Sequence, residues 1–477
     1  MFKRQCCGRD LPVHMGTCRA APEDRIPMRE KLFYGSGIVA FQICNNAIPQ
    51  LAYPIYNILL GVPAAWVGWV LMAGRIWDSF TDPVMGSISD NARTRWGRRK
   101  PFILAGALFS SLLYVMVWMV PRSFGPVATT VYFLISALLF FTAFTVFAVP
   151  YTSQGFELTP DSHERTRLMS VRAYFATLTG LVIPWIFAIA QWDVFESPLD
   201  GVRFLAVVVG ILIIISVLPT LFVSERFENR AAQQQKVSLF WGISETVKNR
   251  AFQSLIGLTV ATQLTMLIAG SLGLYVIIYY VFSGDVKMGA VYSGYNGTVF
   301  TVSGLVAIPI VTRLARRFGK VKVMGGIAAL SILASCLQWV CYIPANPEFM
   351  FFPTALLGPT SAGFWILVNS MKADVPDDDE LRTGLRREGM FGAMATWIQK
   401  FAMAFSFILT GIILDVTGFH ADAESQADST VFGMRLAFVL IPAIGGVLSL
   451  LILRFYPLNE QRLSEIRSAL EQRRGVL

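Results

Sequence analysis

The sequence predicts an all-α membrane protein of twelve transmembrane helices arranged in two six-helix halves. Three observations carry this. Of 477 residues, 54% are hydrophobic and only 15% charged, whereas a soluble domain carries about 25% charged residues. Apolar stretches of bilayer-spanning length, about 20 residues each, recur along the whole chain, and the mean hydropathy is +0.55. Basic residues crowd into alternate loops, the asymmetry that orients membrane proteins.

The elements follow in order. Residues 1–30 form an N-terminal tail. It has no apolar core and so is not a cleaved signal peptide. Its Cys6, Cys7, His14 and Cys18 match no standard metal-site spacing. Met28 opens "MREKLFYG" directly before the first span. Six spans are expected at 32–60, 63–88, 101–120, 127–149, 168–190 and 202–223, making an N-terminal half over 31–223. The polar stretch 224–250 is a linker. Six more spans, at 252–282, 289–311, 322–343, 349–371, 389–412 and 432–455, make a C-terminal half over 251–455, followed by a tail over 456–477.

The net charge of +9 does not point to nucleic acid, because the basic residues lie in short loops between apolar spans. Loop 89–100 holds Arg93, Arg95, Arg98, Arg99 and Lys100, and loop 312–322 holds Arg313, Arg316, Arg317, Lys320 and Lys322. On the other side, loops 121–126, 283–288, 344–348 and 413–431 carry one basic residue or none. The positive-inside rule therefore places the tails and the linker in the cytoplasm, with the chain in the cytoplasmic membrane. "RTRWGRRKP" after the second span and "LARRFGKVKV" after the eighth share a glycine, Gly97 and Gly319, bracketed by basic residues. A repeat six spans apart is what a duplicated transporter shows.

Ionisable groups inside spans are costly and therefore informative. Asp78 and Asp82 are four residues apart and project from one helix face. Two close carboxylates in a poorly solvated place need a proton, a cation or basic side chains. Thr81 adds an oxygen nearby in sequence. The plainer alternative pairs Asp78 with Arg75 and leaves Asp82 to help end the helix. Lys400 lies mid-span, where it either reaches the acid pair across the interface of the halves or lines a wet cavity. Arg172, near the start of span five, suits a substrate, a cytoplasmic gate or a lipid phosphate. Trp365 and Trp397 offer aromatic faces for sugar rings or simply pack. The mixed-charge segment 373–388 reads as a solvated cytoplasmic loop or as part of a gate. No catalytic motif or P-loop is present, so neither an enzyme nor an ATP-driven pump is expected.

The stretch "GRIWDSFTDPVMGSISDNARTRWGRRKP" and the segment 373–419 together resemble the signatures of the glycoside–pentoside–hexuronide:cation symporters, the melibiose-permease-like branch of the major facilitator superfamily. The likeness extends over residues 30–455. It implies that fold, no enzymatic activity, and symport of a small molecule with H⁺ or Na⁺. It implies no cofactor, and no metal other than Na⁺. By this resemblance Asp78, Asp82, Thr81, Thr145 and Lys400 form the cation-binding and coupling set. Gln42, Ala148, Thr152, Arg172, Trp365 and Thr396 line the substrate cavity. Arg93, Arg98, Arg99, Arg316, Arg317 and Asp374 are expected at the cytoplasmic gate. The departures are specific. Thr81 stands where the sodium-using permease has Asn, which favours H⁺. Gln42 and Ala148 replace its sugar-binding acids, and Thr152 its Trp. The cargo is therefore a sugar, glycoside or uronide, or a non-sugar amphiphile such as a lysolipid. A non-transporting sensor on the same fold is the rival reading. The expected partners are a small-molecule substrate and the bilayer, with the chain a monomer.

Overall fold

The computed structural model describes residues 25–159, 162–223, 239–383, 387–421, 423, 426–458 and 460–474. The N-terminal Cys/His group and the linker residues 224–238 lie outside them. All regular elements among the described residues are helical. The N-terminal half consists of α1 (Met28–Ala52), α2 (Ala64–Asn91), α3 (Lys100–Trp118), α4 (Pro126–Glu157), α5 (Ser162–Val182), α6 (Trp185–Ala190) and α7 (Pro198–Val217). The short helix α8 (Leu239–Lys248) leads into α9 (Arg250–Tyr275), α10 (Val286–Phe318), α11 (Lys320–Cys341), α12 (Phe351–Thr383), α13 (Glu388–Val416) and α14 (Asp428–Arg454), and α15 (Glu460–Arg474) is the last helix among the described residues.

Ten segments among the described residues are long and apolar enough to cross a membrane, with α5 and α6 forming one of them. The Val182–Trp185 break in that segment contains Pro184, which has no N–H to continue the helix. The helices α1 and α2 are also of spanning length and bring the total to twelve. The second is less apolar because it carries Arg75, Asp78 and Asp82. Large apolar side chains such as Leu112, Ile135, Ile215 and Leu451 are exposed, as hydrocarbon contact requires.

The helices outrun the expected spans at the end that carries the basic loops. The fourth span was expected to stop at 149, but α4 runs to Glu157. The acidic segment 373–383, expected as loop, is the last three turns of α12, with Pro376 inside it. Hydropathy marks where lipid stops and not where backbone hydrogen bonding stops, so helices can continue into water. Two features repeat between the halves. At the basic-loop end, Gly97 (φ 101°) and Gly319 (φ 86°) both adopt the left-handed backbone that glycine tolerates and other residues rarely do. At the far end, the first span of each half finishes as a π-helix, Tyr53–Leu59 and Val276–Val281.

The halves meet chiefly through α2 against α13, with α10 against α5 and α6. At the far end the contact is backbone on backbone. A Cβ on Gly68 would lie 2.7 Å from the Phe407 carbonyl oxygen, and one on Gly411 would lie 2.5 Å from that of Ala64. Only glycine permits that approach. The Tyr53 hydroxyl donates to the Phe407 carbonyl oxygen, and Tyr275 donates to Asn57 Oδ1 at 2.6 Å. Trp185 Nε1 donates to Thr298 Oγ1 at 2.9 Å. Towards the basic-loop end the seam parts below Asp82: Val84 and Ile88 of α2 are exposed, and among the described residues nothing lies within 4 Å of where a Cβ on Gly389 or Gly392 of α13 would sit.

Candidate functional site

Both acids of α2 face α4 and α13, the two helices it packs against most extensively. Their two oxygens are divided between two partners. Thr145 of α4 donates to Asp78 Oδ1 at 2.8 Å and lies 3.2 Å from Asp82 Oδ1. Lys400 of α13 donates to Asp78 Oδ2 at 2.8 Å and to Asp82 Oδ2 at 2.6 Å. The Thr81 hydroxyl sits 3.1 Å from that of Thr145. A hydroxyl has one proton, so with Thr145 donating to Asp78 its oxygen accepts from the Thr81 hydroxyl, and Asp82 Oδ1 takes no proton from it. The five residues expected as a coupling set therefore form one cluster, built from three helices and both halves.

Arg75 completes the charge balance. Its guanidinium lies 3.7 Å from Asp78 Oδ2, donates to Asn45 Oδ1 at 3.0 Å and to the Asn45 carbonyl, and stacks over the Phe141 ring. Two carboxylates and two cations give a net charge of zero, which is what makes the group tolerable between helices. The Arg75–Asp78 alternative and the Lys400 alternative thus coexist. Asp82 does not end its helix: α2 passes through Pro83 and continues to Asn91.

The cluster has an open side and a sealed side. The Asp82 side chain is 32% exposed and that of Lys400 20%, against 2% for Asp78. A small cation or proton arriving from the parted end of the seam meets Asp82 first. Asp78, Asp82, Thr81 and Thr145 offer only oxygen ligands, the donor set of a hard cation, and the carboxylates can equally hold a proton. In this arrangement the Lys400 ammonium lies where such a cation would neutralise the pair.

The residues expected at the substrate cavity are spread over both halves. In the N-terminal half, Arg172 lies over the rings of Phe41 and Tyr151, 5.6 Å from each centroid. The neighbouring α1 and α4 carry Gln42, which is partly exposed, the buried Ala148, and Thr152, whose hydroxyl is returned to the Ala148 carbonyl. Arg172 has no acidic partner among the described residues. In the C-terminal half, Thr396 is exposed one turn from Lys400, while Trp365 is partly buried against Phe364. Trp397 packs edge-on to Phe80 across the seam. The structure leaves these residues divided between the two halves and does not bring them into one contact cluster.

The expected gate residues behave differently. Arg98 and Arg99 reach Glu157 at the end of α4, at 2.6 Å and 2.5 Å, and Arg99 also reaches Asp90 at 3.2 Å. Asp374 holds Lys320 at 2.5 Å. Arg93, Arg316 and Arg317 are exposed. With Lys31–Glu164 at 2.6 Å and Arg387–Asp379 at 2.6 Å, every ion pair formed between described residues at this end stays inside one half. Sequence reasoning passed over Asn45, Glu157 and Lys320 as functional partners. An amide inside a span, in "FQICNN", was the available signal for the first. The other two look like ordinary helix ends.

The family model described as MFS/sugar transport protein matches residues 33–460. A glucuronide carrier protein homolog of Escherichia coli is 27% identical, with the match covering 93% of this chain and 95% of that protein. A sodium-dependent lysophosphatidylcholine symporter of Xenopus tropicalis is 23% identical over 94% of this chain and 90% of its own. Among solved structures, a D-xylose-proton symporter superposes with a TM-score of 0.64 at 16% identity, covering 90% of this chain and 98% of that one.

Proposed function

Because the chain belongs to the MFS/sugar transport family, we propose that it is a symporter that carries a sugar, glycoside or uronide with H⁺ or Na⁺ by alternating access. The observation that carries the coupling is the Lys400 ammonium bridging Asp78 and Asp82 from the opposite half. A proton on Asp82, or Na⁺ among the oxygens, adds one positive charge to the pair beside Arg75 and weakens its hold on Lys400. The released ammonium then turns to the cavity, where a cargo hydroxyl or carboxylate accepts its hydrogen bonds. Cation and cargo thereby raise each other's affinity, since linkage is reciprocal. The bound cation replaces the positive charge that Lys400 withdraws, so the site stays neutral as the halves close over it. A membrane potential contributes about 2.3 kcal/mol per charge per 100 mV. The loop charges support an orientation with the basic end and both termini in the cytoplasm, and in that orientation the parted seam opens to the cytoplasm.

A second reading is carriage of a lysolipid. It is supported by the similarity to the lysophosphatidylcholine symporter and by Arg172, which lacks an acidic partner among the described residues and suits a phosphate as well as a uronate. Both readings are tested in proteoliposomes with imposed proton or sodium gradients and labelled glycosides, uronides and lysolipids. One cargo class accumulates, accumulation collapses with the gradient, and Asp78→Asn and Asp82→Asn abolish it. Accumulation that persists in both variants contradicts the coupling role.

A further inference from the structure

A separate cavity of about 650 Å³ opens at the basic-loop end of the C-terminal half, away from Asp78 and Asp82. Three pieces of chain meet there: the α8–α9 junction, the last turns of α12 and the start of α15. The last of these is anchored on the half through buried Leu463, Ile466 and Leu470. The cavity walls carry Lys248, Arg250, Arg382 and Arg462 against Asp378 and Glu465. Helix ends of both polarities converge, so their dipoles offset and the side chains set the local charge.

That charge is positive and partly uncommitted. Glu465 is engaged by Arg462 at 3.1 Å. Lys248 holds Glu245 at 2.8 Å, a hydrogen bond that keeps the Glu245 carboxyl below its usual range. Arg250 and Arg382 form no ion pair with a described residue, and Asp378, one turn from Arg382, offsets only part of their charge. Planar guanidinium forks match phosphate oxygens two at a time. The volume lies within the range of about 300–1,000 Å³ typical of small-molecule sites, with room for a phosphate and an organic body. Arg250 is the first residue of a spanning helix, which puts the cavity at the level where head groups and soluble metabolites are both within reach.

We propose that this cavity binds a phosphate-bearing ligand, held by Arg250 and Arg382 with support from Lys248. The ligand ties the α8–α9 junction to the end of α12 and to α15, and so stiffens the C-terminal half without touching the cation cluster. Its phosphate comes either from a lipid head group or from a soluble organophosphate, and two arms separate these. In the first, pyrophosphate is titrated calorimetrically into the purified full chain in neutral detergent. In the second, lipid retained by the chain from phosphatidylcholine nanodiscs, with and without phosphatidic acid, is counted by native mass spectrometry. Saturable binding in either arm, weakened about tenfold or more in the Arg250→Gln/Arg382→Gln variant, supports the site and names its source. Both arginines are exposed, so the variant is expected to keep the wild-type melting temperature. Should it melt lower, Lys248→Gln is the substitute, with a smaller loss of binding. Absence of saturable binding in both arms, or binding undiminished in the variants, overturns the proposal.

Discussion

The two ends of the helix bundle are held in opposite ways. At the far end the halves are joined to each other, backbone against backbone at Gly68 and Gly411 and through Tyr53, Tyr275 and Trp185. At the basic-loop end each half is joined to itself, through Arg99–Glu157 on one side and Lys320–Asp374 and Arg387–Asp379 on the other. The Asp78–Asp82–Lys400 cluster lies between them, where the seam parts. On the proposed alternating-access reading, the difference teaches that internal bracing would hold each half together while the link between halves exchanges. Close glycine packing suits that exchange, because it interlocks few side chains.

The contrast can be broken most severely at the far end. Gly411→Val places a side chain against the Ala64 carbonyl, and overpacking of this kind costs about 1–3 kcal/mol. That is a shift of about 5–150-fold against the far-end-closed state. A cysteine introduced as Asn57→Cys, buried in this structure, should then become readily alkylated. Unchanged protection shows that the glycine contact does not set the closure. A smaller effect is expected from Arg99→Gln. It removes a buried guanidinium from Glu157 and Asp90 and should destabilise the N-terminal half by about 1.5–3 kcal/mol, seen as a lower melting temperature. If coupling stoichiometry also changes, the pair acts between the halves and not within one. The smallest effect belongs to Lys287→Ala. Its link to Asp193 at 2.6 Å crosses the halves but is exposed, and such pairs contribute at most about 1 kcal/mol. Uptake rates should match wild type within error; a large loss makes this pair a working gate.

Much of this was legible in the sequence, for identifiable reasons. Twelve spans, the two basic loops and the Gly97–Gly319 repeat follow from hydropathy and charge, and the positive φ at both glycines supplies the physical reason for the repeat. Asp78, Asp82 and Lys400 stand out because an unpaired charge in a span is costly, and the same cost predicts that they find one another. Thr145 is different. A lone threonine in an apolar helix looks like any packing residue, and only family resemblance singled it out. Glu157 was missed because the α4 helix continues beyond the hydrocarbon, where hydropathy no longer reports helix. The proposed cargo residues stay illegible, because Gln42, Ala148 and Thr152 carry neither charge nor an aromatic ring, and recognition by such groups depends on shape.

The central claim is that a coupling cation and the Lys400 ammonium compete for the same two carboxylates. Cation affinity in Lys400→Met tests this most directly, with Na⁺ binding measured by calorimetry and proton uptake by indicator-dye titration of purified protein. Removing the competitor should tighten binding of the coupling cation at least tenfold, about 1.4 kcal/mol, and Asp82→Asn in the same background should abolish the gain. Unchanged or weaker cation binding in Lys400→Met would contradict the account.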